Sequence, residues 1–177
     1  RADILVAAKG ATSGYWPFGF VAASAEVHET VVGATGFTHG FTYSHAPVGA
    51  AVAREVLRIL IDEDLVARSA AQGRSLRELL ATRLSDDPNV GDVRGRGLLL
   101  GVELVQDRED KRPFPRADRV TEAVVRECRE RGVLVYSGTG LANGTDGDSI
   151  LLGPPFVVTD VESAELIKYA ANGFLAT

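Results

Sequence analysis

Apolar residues fall in this chain with two different periods, and the switches between them mark out the elements. Residues 3–8 hold Ile4, Leu5, Val6, Ala7 and Ala8 in one short apolar run. Residues 18–24, "FGFVAAS", form a second such run. Runs of this length bounded by turn signals predict buried strands. Gly10, Gly14 and Pro17 break the chain between the two. Glycines at 33, 36 and 40 predict a loop over residues 28–40. Pro47 suits a first helical turn, because its missing N–H would have no partner there. Val52, Val56, Leu57, Ile59 and Leu60 then recur at helical spacing over residues 48–61. A second helix is expected over residues 65–84, with Leu76, Leu79, Leu80 and Leu84 as its apolar stripe.

The pattern then changes. Residues 90–105, "VGDVRGRGLLLGVELV", predict two strands meeting at Gly95 and Gly97. Residues 108–116 form a charged loop, and residues 117–131 an amphipathic helix with Val120, Val124 and Cys128 on one face. Gly132 ends that helix, a position where glycine accepts the left-handed backbone cheaply. A strand is expected over residues 133–136, a polar glycine-rich loop over 137–148, and a short strand over 150–152 before Pro154 and Pro155. Thr159-Asp160-Val161-Glu162 matches a capping box and opens the last helix. The order is α/β first and α+β afterwards. The fold class expected is therefore α/β, with a joint near residue 63 between one domain over residues 1–62 and an α+β domain over residues 63–177.

Composition narrows the function. Apolar residues at 45% and charged residues at 24% describe an ordinary soluble globular chain. The net charge of −5 argues against a nucleic-acid partner, since binding a phosphate backbone needs clustered Lys and Arg. No apolar run is long enough for a bilayer, so no membrane partner is expected. Cys128 is the single cysteine, which precludes an internal disulfide and suits a reducing, cytoplasmic setting. The chain opens at Arg1 and contains no Met, from which a fragment of a longer protein is expected.

One position asks for chemistry. Lys9 ends an apolar strand and is followed by Gly10 and Gly14. A lysine at a strand end is ordinarily a solvated surface residue. The alternative is an amine that bonds a carbonyl, which needs a partly apolar pocket to keep some of it neutral. Glycines beside it would let a flat group approach the backbone. Other chemistry is poorly supported. His28, His39 and His45 have no Cys or carboxylate partners at metal-ligand spacing, so no metal is expected. Ser13 in "TSGY" is not a nucleophile elbow. The glycines around Arg94 and Arg96 are not a dinucleotide fingerprint, because no helix follows them.

Several segments, in order, resemble the class III aminotransferases, pyridoxal-phosphate enzymes of fold type I. "DILVAAKGATSGYWPFG" resembles the segment bearing the cofactor lysine, and "HGFTYSHAP" the loop that contacts the cofactor phosphate. "VRGRGLLLGVELV", "RGVLVYSG" and "LLGPPFVVT" resemble strands of the C-terminal sheet. The resemblance implies the end of a large cofactor-binding domain followed by a small C-terminal α+β domain. It implies pyridoxal 5'-phosphate as cofactor, with Lys9 as its Schiff-base and proton-shuttling residue. Thr42 would bind the cofactor phosphate of a neighbouring subunit, and Phe41 would lie beside it in a shared pocket. A homodimer follows. Trp16 and Tyr136 would contact substrate.

Departures from the family pattern refine this. His45-Ala46-Pro47 stands where the family reads Gly-His-Pro. Leu151 and Tyr136 occupy positions where relatives often place a substrate-binding arginine, and residues 132–177 contain no arginine. A bidentate clamp on a substrate carboxylate cannot come from that segment. An amine or ω-amino donor is expected, with a keto acid as acceptor. The resemblance also implies that the aspartate facing the pyridine nitrogen precedes Arg1, so the 177-residue chain alone is expected not to transaminate. The alternatives are a same-fold aminomutase, racemase or decarboxylase, or a non-catalytic fragment serving as an interaction module.

Overall fold

The computed structural model describes residues 2–34 and 36–176. The chain forms two compact units, Arg1–Asp64 and Leu65–Thr177.

In the first unit, strand β1 (Ile4–Ala8) pairs antiparallel with β2 (Gly19–Ala23), in register from Ile4 opposite Ala23 to Ala8 opposite Gly19. A 3-10 turn over Lys9–Thr12 leaves the end of β1 directly. The strands are present, but they are not buried. Val6 is 74% exposed and Val21 65%. A two-stranded ribbon covers neither of its own faces, and so short a pairing is marginal by itself. The loop expected over residues 28–40 is also corrected. Helix α1 spans Ala25–Ala34 and carries His28 and Gly33. The Ser24 hydroxyl accepts from Val27 N at 3.3 Å, a helix-start signal that outweighs one interior glycine costing about 1 kcal/mol. Helix α2 (Pro47–Asp62) begins at its proline, with Ala46 extended before it, and buries Gly49 and Ala53.

The second unit carries the hydrophobic core. Helix α3 (Leu65–Arg83) precedes β3 (Val90–Arg96) and β4 (Leu99–Leu104). Helix α4 (Val120–Glu130), β5 (Tyr136–Thr139), β6 (Asp148–Leu152) and helix α5 (Asp160–Phe174) follow. The sheet runs β3-β4-β6-β5, antiparallel throughout. Alternation assigns one face to the interior. Leu100, Val102 and Leu104 of β4 and Ile150 and Leu152 of β6 are buried with Leu76, Leu80 and Leu84, Val124 and Cys128, and Ile167, Ala170 and Phe174. Each fully buried leucine contributes about 2 kcal/mol of transfer free energy. Cys128 has no exposed surface, and its Sγ lies 3.8 Å from the Ala170 carbonyl.

Three sequence expectations shift here. Leu79, placed on the α3 stripe, is exposed. The 117–131 helix starts at Val120, after a 3-10 turn over Arg116–Asp118 and Arg119 at φ 53°. The strand expected at 133–136 starts at its end, and residues 137–139 of the expected loop are strand. Gly138 pairs with Ser149 and Thr139 with Asp148, so an edge strand with polar residues takes its register from β6. The capping box forms as expected: Glu162 N donates to Thr159 Oγ1 at 3.2 Å, and Thr159 N donates to Glu162 Oε2 at 2.8 Å.

Candidate functional site

The site is built on the first unit. Ala8 is extended at φ −156°, and the chain then turns sharply, with Lys9 at φ 52° in the left-handed region. A non-glycine residue there is uncommon and needs support from its surroundings. Local hydrogen bonds supply it. Ser13 N donates to Gly10 O at 3.1 Å and Tyr15 N to Thr12 O at 3.0 Å. Thr12 is 1% exposed, and its hydroxyl donates to Trp16 O at 2.6 Å, with a longer 3.4 Å contact to Lys9 O. The Lys9 side chain is exposed, and no described residue holds its ammonium group in a hydrogen bond or ion pair.

After the turn the chain lays Trp16 and Phe18 against α2. A Cβ at Gly49 would lie 2.6 Å from Phe18 Cδ2 and 3.1 Å from Trp16 Cδ1, so only glycine lets both rings sit on the helix. Across from them runs the segment before α2. Its His39 ring stands edge-on to Phe41, centroids 4.8 Å apart at 87°, and to Phe37 at 6.1 Å and 80°. Phe41 N donates to Ser44 Oγ at 2.8 Å and Ser44 N to Phe41 O at 2.9 Å, closing a tight turn that displays Thr42 to solvent. His45 at φ 62° takes the chain into Ala46 and the proline that opens α2. Together these residues enclose an open aromatic cleft of about 1000 Å³, with Trp16, Phe18, Phe37, Phe41, His45 and Gly49 among its walls.

Trp16 and Phe41 are thus brought to one cleft. Lys9 and Thr42 are not among its walls; Lys9 is tied to it through the Thr12 turn, and Thr42 lies between wall residues Phe41 and Tyr43. Tyr136 belongs to the second unit, where it lines a groove of about 420 Å³ with Leu99, Leu134, Leu151 and Gly153. It is 75% exposed and pairs directly with Leu151 across β5 and β6. The two positions flagged for arginine are therefore cross-strand neighbours, and both are without charge. Arg94 is committed elsewhere. Its Nη1 binds Asp92 Oδ2 at 3.0 Å and Glu103 Oε2 at 3.1 Å, which raises its pKa, Asp92 contributing most.

The first unit holds the residue types that an aromatic aldehyde bearing a phosphate would use, although neither Lys9 nor Thr42 lines the cleft itself. Among the described residues it offers a primary amine without a hydrogen-bond or ion-pair partner on a backbone fixed by hydrogen bonds, a cleft with aromatic walls and the exposed Thr42 hydroxyl. Sequence reading missed Thr12 and Gly49, whose roles depend on contacts that residue type does not reveal. The alternation Phe37-x-His39-x-Phe41 was a readable signal for one wall, since alternate residues of an extended segment share a face.

Comparison with known proteins follows the same lines. The family described as aminotransferase class-III matches residues 1–172. The uncharacterized aminotransferase YodT of Bacillus subtilis (strain 168) is 37% identical over 167 residues, covering 94% of this chain and 38% of the relative. The (S)-enantioselective omega-transaminase of Thermomicrobium roseum superposes with a TM-score of 0.89 at 40% identity, over 99% of this chain and 38% of that one. An amine transaminase from an uncultivated Pseudomonas species, solved in its PLP-bound form, superposes with a TM-score of 0.87 at 32% identity, over 98% of this chain and 38% of that one. The chain thus spans 38% of the length of each.

Proposed function

Since the chain belongs to the class III aminotransferases, we propose that it is the cofactor-lysine-bearing part of a pyridoxal-phosphate-dependent transaminase. On this reading residues 1–62 belong to the large cofactor-binding domain and 63–177 form the small one. The observation that carries it is Lys9: an amine free of hydrogen-bond and ion-pair partners among the described residues, at the end of β1, on a left-handed backbone braced by the Thr12 turn.

Lys9 would hold the cofactor aldehyde through Nζ, and the Thr42 hydroxyl would bind the phosphate of a neighbouring subunit's cofactor. Phe41 would close the pocket beside it. When bound, pyridoxal 5'-phosphate supplies an electron-withdrawing ring that stabilises negative charge on the substrate carbon. Freed of the aldehyde, the Lys9 amine would serve as base and acid for a 1,3-proton shift, taking up at Nζ the proton lost by the substrate carbon and giving it back two atoms away. Trp16 bounds the space for the amine, and Tyr136 is a second substrate contact. Tyr136 and Leu151 supply no guanidinium, which supports an amine or ω-amino donor over an α-amino acid, with a keto acid as acceptor. The assembly read from Thr42 and Phe41 is a homodimer with shared active sites, and the single cysteine supports a cytoplasmic setting.

The test is chemical trapping. The protein is incubated with pyridoxal 5'-phosphate, reduced with borohydride and mapped by peptide mass spectrometry. The adduct is expected on Lys9, with Lys111 and Lys168 as internal references. Lys9→Ala removes it. In the full-length protein, an amine donor and pyruvate should yield alanine, and Lys9→Ala should abolish that yield. Equal labelling of all three lysines would overturn the assignment.

A further inference from the structure

We propose that Thr12 is a positioning residue, whose buried hydroxyl fixes the Trp16 wall of the cleft to the backbone that carries Lys9. This rests on Lys9 being the cofactor lysine. Thr12 is the buried residue of the Lys9–Thr12 turn. Its hydroxyl has one hydrogen, and the 2.6 Å contact assigns that hydrogen to Trp16 O. The 3.4 Å contact sets the same oxygen against Lys9 O. One side chain therefore spans the turn from the reactive lysine to the cleft wall.

The geometry needs such a tie. Between Lys9 and Trp16 the chain passes through left-handed Lys9, left-handed Ser13 and Gly14 at φ 80°. Its backbone is held by Ser13 N to Gly10 O and Tyr15 N to Thr12 O, and neither bond reaches Trp16. Trp16 is 44% exposed, and its Cδ1 lies close enough to Gly49 that a Cβ there would stand 3.1 Å away. Without the hydroxyl, the Trp16 carbonyl loses its short donor, and the ring is held by its packing near Gly49 rather than by a bond to the turn. The wall would then move relative to Lys9, and a substrate pressed against it would lose its alignment. If the amine enters this cleft, a large amine would press against the Trp16 wall, and a small one would make less contact with it.

The variants are Thr12→Val, which keeps the shape and removes the donor, and Thr12→Ser, which keeps the donor. Trp16 is the only tryptophan, so its fluorescence in the 177-residue chain reports the wall without any cofactor. Thr12→Val is expected to red-shift its emission and raise its quenching by acrylamide, while Thr12→Ser matches the parent. Thr12→Ala replaces Thr12→Val if the latter does not accumulate. In the full-length holoenzyme, Thr12→Val is expected to raise KM for an arylalkylamine about tenfold and leave KM for a small alkylamine unchanged. A merely structural loss would lower kcat for both amines and move neither KM. Unchanged quenching in Thr12→Val, or a Thr12→Ser variant as altered as Thr12→Val, would overturn the proposal. If the parent full-length protein turns over no amine, the transaminase reading is what fails, and the fluorescence comparison alone decides whether Thr12 anchors Trp16.

Discussion

At the scale of single residues, Gly73 shows how far a position can be constrained without touching any chemistry. A Cβ there would stand 1.9 Å from the Gly97 carbonyl oxygen, because α3 lies directly on the turn between β3 and β4. Ser69, one turn earlier on α3, accepts a hydrogen bond from Leu98 N at 3.3 Å through its hydroxyl. Gly73→Ala is expected to destabilise the second unit by about 3 kcal/mol through overpacking, read as a lower denaturant midpoint. Gly73 was invisible in the sequence, where it reads as a weak point in a helix. Lys9 was legible because its chemistry is carried by residue type and near neighbours. Thr12 sits three residues from Lys9 and was still missed, because a threonine in a loop does not reveal that its hydroxyl is turned inward.

At the scale of elements, acid should loosen the second unit at identifiable places. Glu162 is held below its ordinary pKa of 4.5 by the Thr159 backbone N–H and hydroxyl. Glu122 is lowered by its pairing with Arg116, and Asp146 by Asn143 and the Arg116 N–H. Groups with depressed folded values bind fewer protons folded than unfolded. Their contribution is complete above the ordinary carboxylate range and is lost as pH falls through the lower, folded values. Unfolding temperature should therefore fall on the acid side. Glu162→Gln should flatten that decline while lowering stability slightly at neutral pH, measured by thermal melts across pH. The α5 start was legible because a capping box is a local code. Helix α1 and the offset of β5 were not. Glycines at 33, 36 and 40 concealed the first, and the register of a polar edge strand is set by its partner rather than by its own residues.

At the scale of the whole molecule, the two units differ in what they bury. The clustered core belongs to residues 65–177, whereas Ile4, Val6, Val21, Phe37, Tyr43 and Ile61 of the first unit are exposed. Limited proteolysis of the 177-residue chain should cut first within residues 1–64 and leave the second unit protected, a result that mass spectrometry can read directly. Equal cleavage of both units would contradict that order. Cys128 gives the surviving unit its own clock. Its Sγ is sealed under Gly173, where even a Cβ would approach to 2.6 Å, and burial raises its pKa. A thiol reagent can reach it only after α4 and α5 part. The rate of that single labelling event, followed against denaturant, measures how often the unit opens in native buffer, with no thiol engineered in and no other thiol to confuse the signal.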